Sequence, residues 1–274
     1  MIGFNRRQST LLLLIAAGAV LAAAALAGAA LMDRAVAADF AQRNLSPCPA
    51  RPFGTDWMGR DMLARTLAGL SLSIRIGVLT AALSGVVALA LGTASACFGG
   101  RVDAVVSWLI DLVLGIPHIL LMILISLACG KGFLGVTAAA ALTHWPSLAR
   151  LVRGEVLQLR QAPYIQMARR LGISRGKLLR SHLLPHLLPQ VLAGMILQFP
   201  HAILHEASVT FLGFGLSPEQ PSIGIILEES MRGLTTGRWW LALFPGLSLV
   251  LAVMLFHLMG ERLRLLLAPA SAQE

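Results

Sequence analysis

The chain has 274 residues, of which 57% are hydrophobic and only 13% charged, and its mean hydropathy is +0.76. That balance excludes an ordinary soluble domain. A formal net charge of +9 points towards nucleic acid, but few aromatics interleave with the basic residues, and the charge sits beside long apolar runs. A membrane protein holding its Lys and Arg on the cytoplasmic side accounts for the same pattern more simply. Cys48, Cys97 and Cys129 are odd in number and widely spaced, which gives neither a disulfide framework nor a metal pattern. No Gly-x4-Gly-Lys-Ser/Thr run occurs, so no nucleotide is expected in a P-loop of this chain.

Residues 1–9 carry Arg6 and Arg7 and are expected on the cytoplasmic side, ahead of a first span over residues 10–32. A cleaved signal peptide is the rival reading, because Ala-rich sequence follows. The run is long for a signal core and further spans follow, so an uncleaved span is expected. Residues 33–70 are polar and contain Pro47, Pro49 and Pro52, which predicts an extracytoplasmic loop with short helices. Within it, Asp56 is placed to cap a helix and Asp61 to pair with Arg65 one turn on.

The transmembrane core is expected over residues 71–265, with spans at about 71–98, 104–128, 133–149, 186–211 and 239–259, and a cytoplasmic tail over 266–274. Asp111 and Pro117 stand out in the third span, since a carboxylate at membrane depth is costly and usually faces the bundle interior. Residues 216–238, with Pro218, Pro221, Glu219, Glu228 and Glu229, predict a second outer loop. Six spans with both termini inside place every uncompensated basic cluster on the cytoplasmic face.

The most basic segment lies between the fourth and fifth spans. Arg160, Arg169, Arg170, Arg175, Lys177 and Arg180 have no acidic residue among them. Pro163 suits the first position of a helix, Gly172 a left-handed helix end, and Ser174 the cap of a second short helix. Leu184-Pro185 is expected to stop that helix and open the fifth span. On residues alone, a basic amphipathic helix lying on anionic lipid and a handle for a cytosolic partner both remain open.

Here the sequence resembles the membrane subunits of binding-protein-dependent ABC importers, whose cytoplasmic loop reads Glu-Ala-Ala-x3-Gly-x9-Ile-x-Leu-Pro. Gln166, Met167, Ala168, Gly172, Leu184 and Pro185 fall on that spacing, with Gln166, Met167 and His182 departing from it. Pro52, Phe53, Gly54, Thr55, Asp56, Gly59, Arg60 and Asp61 resemble the Pro-Phe-Gly-Thr-Asp-x-x-Gly-Arg-Asp signature of the peptide and nickel branch. The resemblance continues through Thr-Phe-Leu-Gly-Phe-Gly at 210–215, Pro221-Ser222, Trp239-Trp240, Phe244-Pro245-Gly246, and Gly260, Leu263 and Arg264. It implies an all-α membrane protein of the type I ABC importer permease fold, with six transmembrane helices and a cytoplasmic coupling-helix loop over 158–185.

The resemblance further implies a non-catalytic subunit of the bacterial inner membrane. Its partners would be a second permease subunit, two ATPase subunits that carry the ATP and Mg, an extracytoplasmic substrate-binding protein, and the bilayer, without nucleic acid. Contact with the ATPase would fall on Gln166, Met167, Ala168, Arg169, Arg170, Leu171, Gly172, Ile173, Leu184 and Pro185. Family members often carry an Asp and a Pro spaced like Asp111 and Pro117, which favours a structural role there.

His201 and His205 lie four apart on a predicted helix, with Glu206 about 100° further round. Imidazole suits nickel, copper and zinc, a protonated pair suits a substrate carboxylate, and interhelical hydrogen bonds inside the bundle are the plainer use of both rings; the pair resembles that of nickel and metal-opine import permeases. The expected cargo is therefore nickel or a metal chelate, passed transiently by His201 and His205, with Glu206 and Asp111 along the path. The alternative is a dipeptide or oligopeptide in the same kind of importer. Of other classes, a stand-alone ion-coupled secondary transporter would show broken spans in corresponding halves, and a membrane scaffold would transport nothing.

Overall fold

The computed structural model describes residues 6–267; the ends of the expected cytoplasmic N-terminus and tail lie outside them. Helix α1 spans Arg6–Ala30 and a short α2 spans Met32–Val36, followed by a single 3-10 turn at Phe40–Gln42. Helix α3 runs over Met62–Phe98, α4 over Gly100–Gly115, α5 over His118–Ala128 and α6 over Gly132–Gln161. The basic segment forms α7, Pro163–Arg170, and α8, Arg175–Leu178, which passes through a π turn at Leu179–Leu183 into α9, Leu184–Phe211. Helices α10, Ile223–Leu234, and α11, Trp240–Leu267, complete the described residues, among which no strand occurs.

Four of the described helices are long and apolar enough to cross a membrane, and α4 with α5, bent by 99°, pass the same test only when taken together. The stretch expected as a third span, 104–128, is broken at Pro117. The residue before a proline is pushed out of the helical region, and Ile116 is extended at ψ 137°. Helix α6 is 30 residues long but more polar, because Thr137, Thr143 and His144 face protein and are buried rather than turned to lipid. It carries Pro146 internally and runs well past residue 149, so Arg150, Arg153 and Arg160 lie on a helix rather than in a loop.

Helix α3 also starts earlier than expected, at Met62 rather than Ser71. Asp61 caps it, accepting from the N–H groups of Leu63 at 2.9 Å and Ala64 at 3.3 Å. At about 1.5 Å per residue, its 37 residues reach roughly 55 Å, well beyond a bilayer core of about 30 Å. Its first turns, around Arg65, are held by charges. Arg65 Nη1 donates to Asp56 at 2.7 Å and to Glu229 at 2.8 Å. Arg60 donates to the same two carboxylates at 2.6 and 2.9 Å. The expected pairing of Asp61 with Arg65 is thus replaced. Asp61 pairs with Arg34 and Arg51, both at 2.8 Å, while Asp56 takes Arg65. Glu229 lies on α10, so the expected second outer loop is largely a helix. Ser222 caps it, and its Ile223, Ile225 and Ile226 are buried.

Helices α3 and α6 pack closely, and Gly92 permits it. A Cβ there would sit 2.6 Å from the Ala149 carbonyl oxygen and 2.9 Å from Val152 Cβ. Ala88, Trp145, Leu148, Val152, Val156, Leu178, Leu183 and Leu187 join α3, α6, α8 and α9 into one buried cluster. A second cluster, with Leu70, Ile74, Phe199, Ile203, Ile223, Ile226 and Leu249, joins α3, α9, α10 and α11. Large apolar side chains such as Leu26, Val86 and Leu134 remain exposed, as a surface turned to lipid or to a neighbouring subunit requires.

Candidate functional site

Two regions carry the sequence-predicted site residues. The first is the basic elbow. Pro163 occupies the first turn of α7, where its missing N–H costs nothing. The helix ends in a Schellman turn: Gly172 N–H donates to the Arg169 carbonyl at 3.0 Å, and Ile173 N–H to the Ala168 carbonyl at 3.1 Å. That turn needs Gly172 at φ +80°, the left-handed conformation expected from sequence. Ser174 caps α8, its hydroxyl 3.4 Å from the Lys177 N–H.

One expectation for the elbow is corrected: Leu184-Pro185 does not stop the helix. Pro185 can offer no N–H, and the backbone widens into a π turn just before it, with Leu184 N–H donating to the Leu179 carbonyl. Helical structure therefore continues from α8 into α9.

The elbow has two unlike faces. Ile165 is fully buried and Ala168 nearly so, both in the α3–α6–α9 cluster, with Ile173 packed beside them. Burying a side chain of that size is worth about 1.5–3 kcal/mol, so α7 is fixed to the bundle rather than tethered to it. Tyr164, Met167 and Leu171 point outward, with Leu171 75% exposed, among exposed Gln166, Arg169 and Arg170. Leu184 is half-buried and Pro185 exposed at the start of α9. Behind the elbow, Arg153 grips Asp103 with two hydrogen bonds of 2.6 and 2.7 Å, and Arg160 donates to the Ala96 carbonyl. These contacts tie α6 to α4 and to the end of α3.

The second region is the fifth span. His201 is exposed and His205 half-buried on one face of α9, with ring centroids 6.5 Å apart. Glu206 points elsewhere. It is fully buried and accepts from Ser73 at 2.6 Å and from Thr210 at 3.1 Å, linking α9 to α3. Asp111 is not brought near these residues; its side chain is 70% exposed and pairs with Arg150 of α6 at 2.7 Å.

What the structure adds is two further histidines. His118, first residue of α5, lies 4.3 Å from the His205 ring, centroid to centroid, and 4.7 Å from that of His144 on α6. His205 Nδ1 and His144 Nε2 are 3.2 Å apart. His144 Nδ1 is 2.8 Å from the Ala140 carbonyl, which fixes its proton on that nitrogen, since a carbonyl can only accept. The sequence signal for His118 was its place directly after Pro117; no spacing pattern marks His144, which meets the others only through helix packing.

The described residues thus form a bundle of membrane-length helices carrying a rigid, apolar-tipped elbow. Residues 86–272 match the family described as the binding-protein-dependent transport system inner membrane component. The chain is 31% identical over 83% of its length to the dipeptide transport system permease protein of Bacillus subtilis, covering 71% of that protein. It is 34% identical over 85% of its length to the probable D,D-dipeptide transport system permease protein of Escherichia coli, covering 78% of it. It is 33% identical over 84% of its length to the oligopeptide transport system permease protein of Bacillus subtilis, covering 77% of it. The chain belongs to the binding-protein-dependent transport system inner membrane component family and is a permease subunit of an importer of that kind.

Proposed function

We propose that the chain forms half of the translocation pathway of an ATP-driven importer of dipeptides or oligopeptides. The names of the similar permeases support that cargo and do not extend to nickel or metallophores, so the peptide alternative replaces the metal cargo as the main reading. A second permease supplies the other half of the pathway, an external binding protein delivers cargo to the outer loops, and two ATPase subunits bind ATP and Mg on the cytoplasmic side. Both termini face the cytoplasm, and α6 is the fourth of six crossings.

The observation that carries the mechanism is the two-faced α7. Its outer crest of Tyr164, Met167 and Leu171 is apolar and exposed, while Ile165 and Ala168 are locked into the cluster shared by α3, α6 and α9. A docking ATPase that moves the crest therefore moves those helices with it, because a packed element transmits displacement as a body. The basic residues Arg169 and Arg170 flank the crest and suit an acidic docking surface. An ion-driven carrier working alone has no use for such a crest.

Deletion of the gene, with uptake of radiolabelled di- and oligopeptides and of radioactive nickel measured side by side, tests the reading. Peptide uptake is expected to fall and nickel uptake to hold. Loss of nickel uptake with peptide uptake intact would reverse the assignment of cargo.

A further inference from the structure

We propose that His118, His144 and His205 form a binding site for a divalent first-row transition-metal ion, of which nickel and zinc suit the ligands. The three rings come from α5, α6 and α9, and one ligating nitrogen from each lies within 4.8 Å of the others. Neutral imidazole is the commonest protein ligand for such ions. Two nitrogens bound to one tetrahedral ion at 2.0–2.1 Å stand about 3.3 Å apart. His205 Nδ1 and His144 Nε2 already stand 3.2 Å apart. The third ring needs movements on the order of 1 Å to join them, and His118 is only half-buried at the start of its helix.

The surroundings match those of a metal site. A ligating histidine almost always gives its second nitrogen's proton to a carbonyl or carboxylate, which fixes its tautomer. His144 does this, with Nδ1 on the Ala140 carbonyl at 2.8 Å, so its Nε2 lone pair faces His205. The proton between those nitrogens then belongs to His205 Nδ1. Metal binding moves it to His205 Nε2, a change of tautomer that leaves the ring neutral. The Thr143 hydroxyl, 3.5 Å from His118 Nε2 and 3.3 Å from His144 Nδ1, adds a polar neighbour to both.

Three ligands leave a coordination position open. None of the three is a carboxylate, and Glu206 is engaged by Ser73 and Thr210. The ion's charge therefore favours an anionic oxygen in the open position. His201 is exposed one turn along α9 from His205, with its ring centroid 6.5 Å away, which places it beside the site rather than in it.

The test uses the assembled transporter in lipid nanodiscs, purified on a tag without histidine, with nickel chloride as the probe. Bound metal is counted after equilibrium dialysis, and X-ray absorption reads its ligands. The wild type is expected to hold one more nickel per copy of this chain than the triple variant H118Q/H144Q/H205Q, with imidazole scattering in the spectrum. Losing a second-shell partner alone weakens metal binding about 10–100-fold, so H144Q and H205Q, which lose a ligand, should weaken it by about 100-fold or more. H186Q, at an exposed histidine of the same helix, should bind as the wild type does. If the triple variant fails to assemble, single variants that elute as the wild type carry the comparison. No excess nickel in the wild type, a spectrum without imidazole, or equal loss in H186Q and H144Q would overturn the proposal. The peptide reading is judged by uptake, so failure of either leaves the other standing.

Discussion

Gly172 is the position at which conformation and coupling can be separated. The Schellman turn holds Gly172 at φ +80°, and a Cβ placed there meets nothing within 4 Å. Substitution therefore costs backbone strain and no packing. For an ordinary L-residue the left-handed conformation costs about 1–2 kcal/mol, and Asn bears it more readily. A β-branched residue is worse placed still. Strain of that size shifts the balance between the formed turn and its alternatives by about 5–30-fold. If force enters through α7, peptide uptake should fall in the order Gly, Asn, Ala, Val at residue 172, with the Ala variant reduced by up to that factor. The assay is ATP-driven uptake of labelled peptide into proteoliposomes holding the whole complex, normalised to permease content, with ATP hydrolysis measured in parallel. Hydrolysis that continues while uptake falls is the expected signature of uncoupling. G172V transporting at the wild-type rate, or Asn, Ala and Val variants falling equally, would refute the argument that the left-handed turn matters.

Two further predictions concern the bundle itself. Arg65 is 2% exposed between Asp56 and Glu229, and removing one partner of a buried ion pair costs about 3–5 kcal/mol. Because Arg60 still meets both carboxylates, R65A should lie at the lower end of that range, an apparent Tm lowered by roughly 6–12 °C in detergent; a shift under about 2 °C would mean that water, not protein, neutralises the pair. G92A drives a Cβ against the Ala149 carbonyl and Val152, so it should destabilise by about 1–3 kcal/mol. G154A, exposed on α6 with nothing within 4 Å, should instead stabilise by up to about 1 kcal/mol. Equal thermal shifts in these two variants would show that the α3–α6 contact is looser than the distances say.

The parts of this fold legible in the sequence are those decided by local chemistry. Apolar runs long enough to span, Pro163 at a helix start, Gly172 at a left-handed end and Ser174 as a cap all follow from rules that act within a few residues. The misread parts are those in which a distant partner changes what a polar residue means. Residues 62–70 read as part of an outer loop with short helices, yet Asp56 and Glu229 neutralise Arg65 and allow it to be buried at the start of one long helix. The break at Pro117 had a local signal in the proline itself, whereas the smooth passage through Pro185 depends on a π turn that no residue type announces. The histidine face follows the same division. His201 and His205 are four apart, so helical periodicity finds them. His118 and His144 join His205 only because α5 and α6 pack against α9, and the sharp α4–α5 bend brings the start of α5 to that place. The proline that breaks the third span is therefore also what delivers the third imidazole: a straight helix through residue 117 would carry His118 on along the line of α4. Straightening that bend and emptying the histidine cluster are, on this geometry, one and the same perturbation.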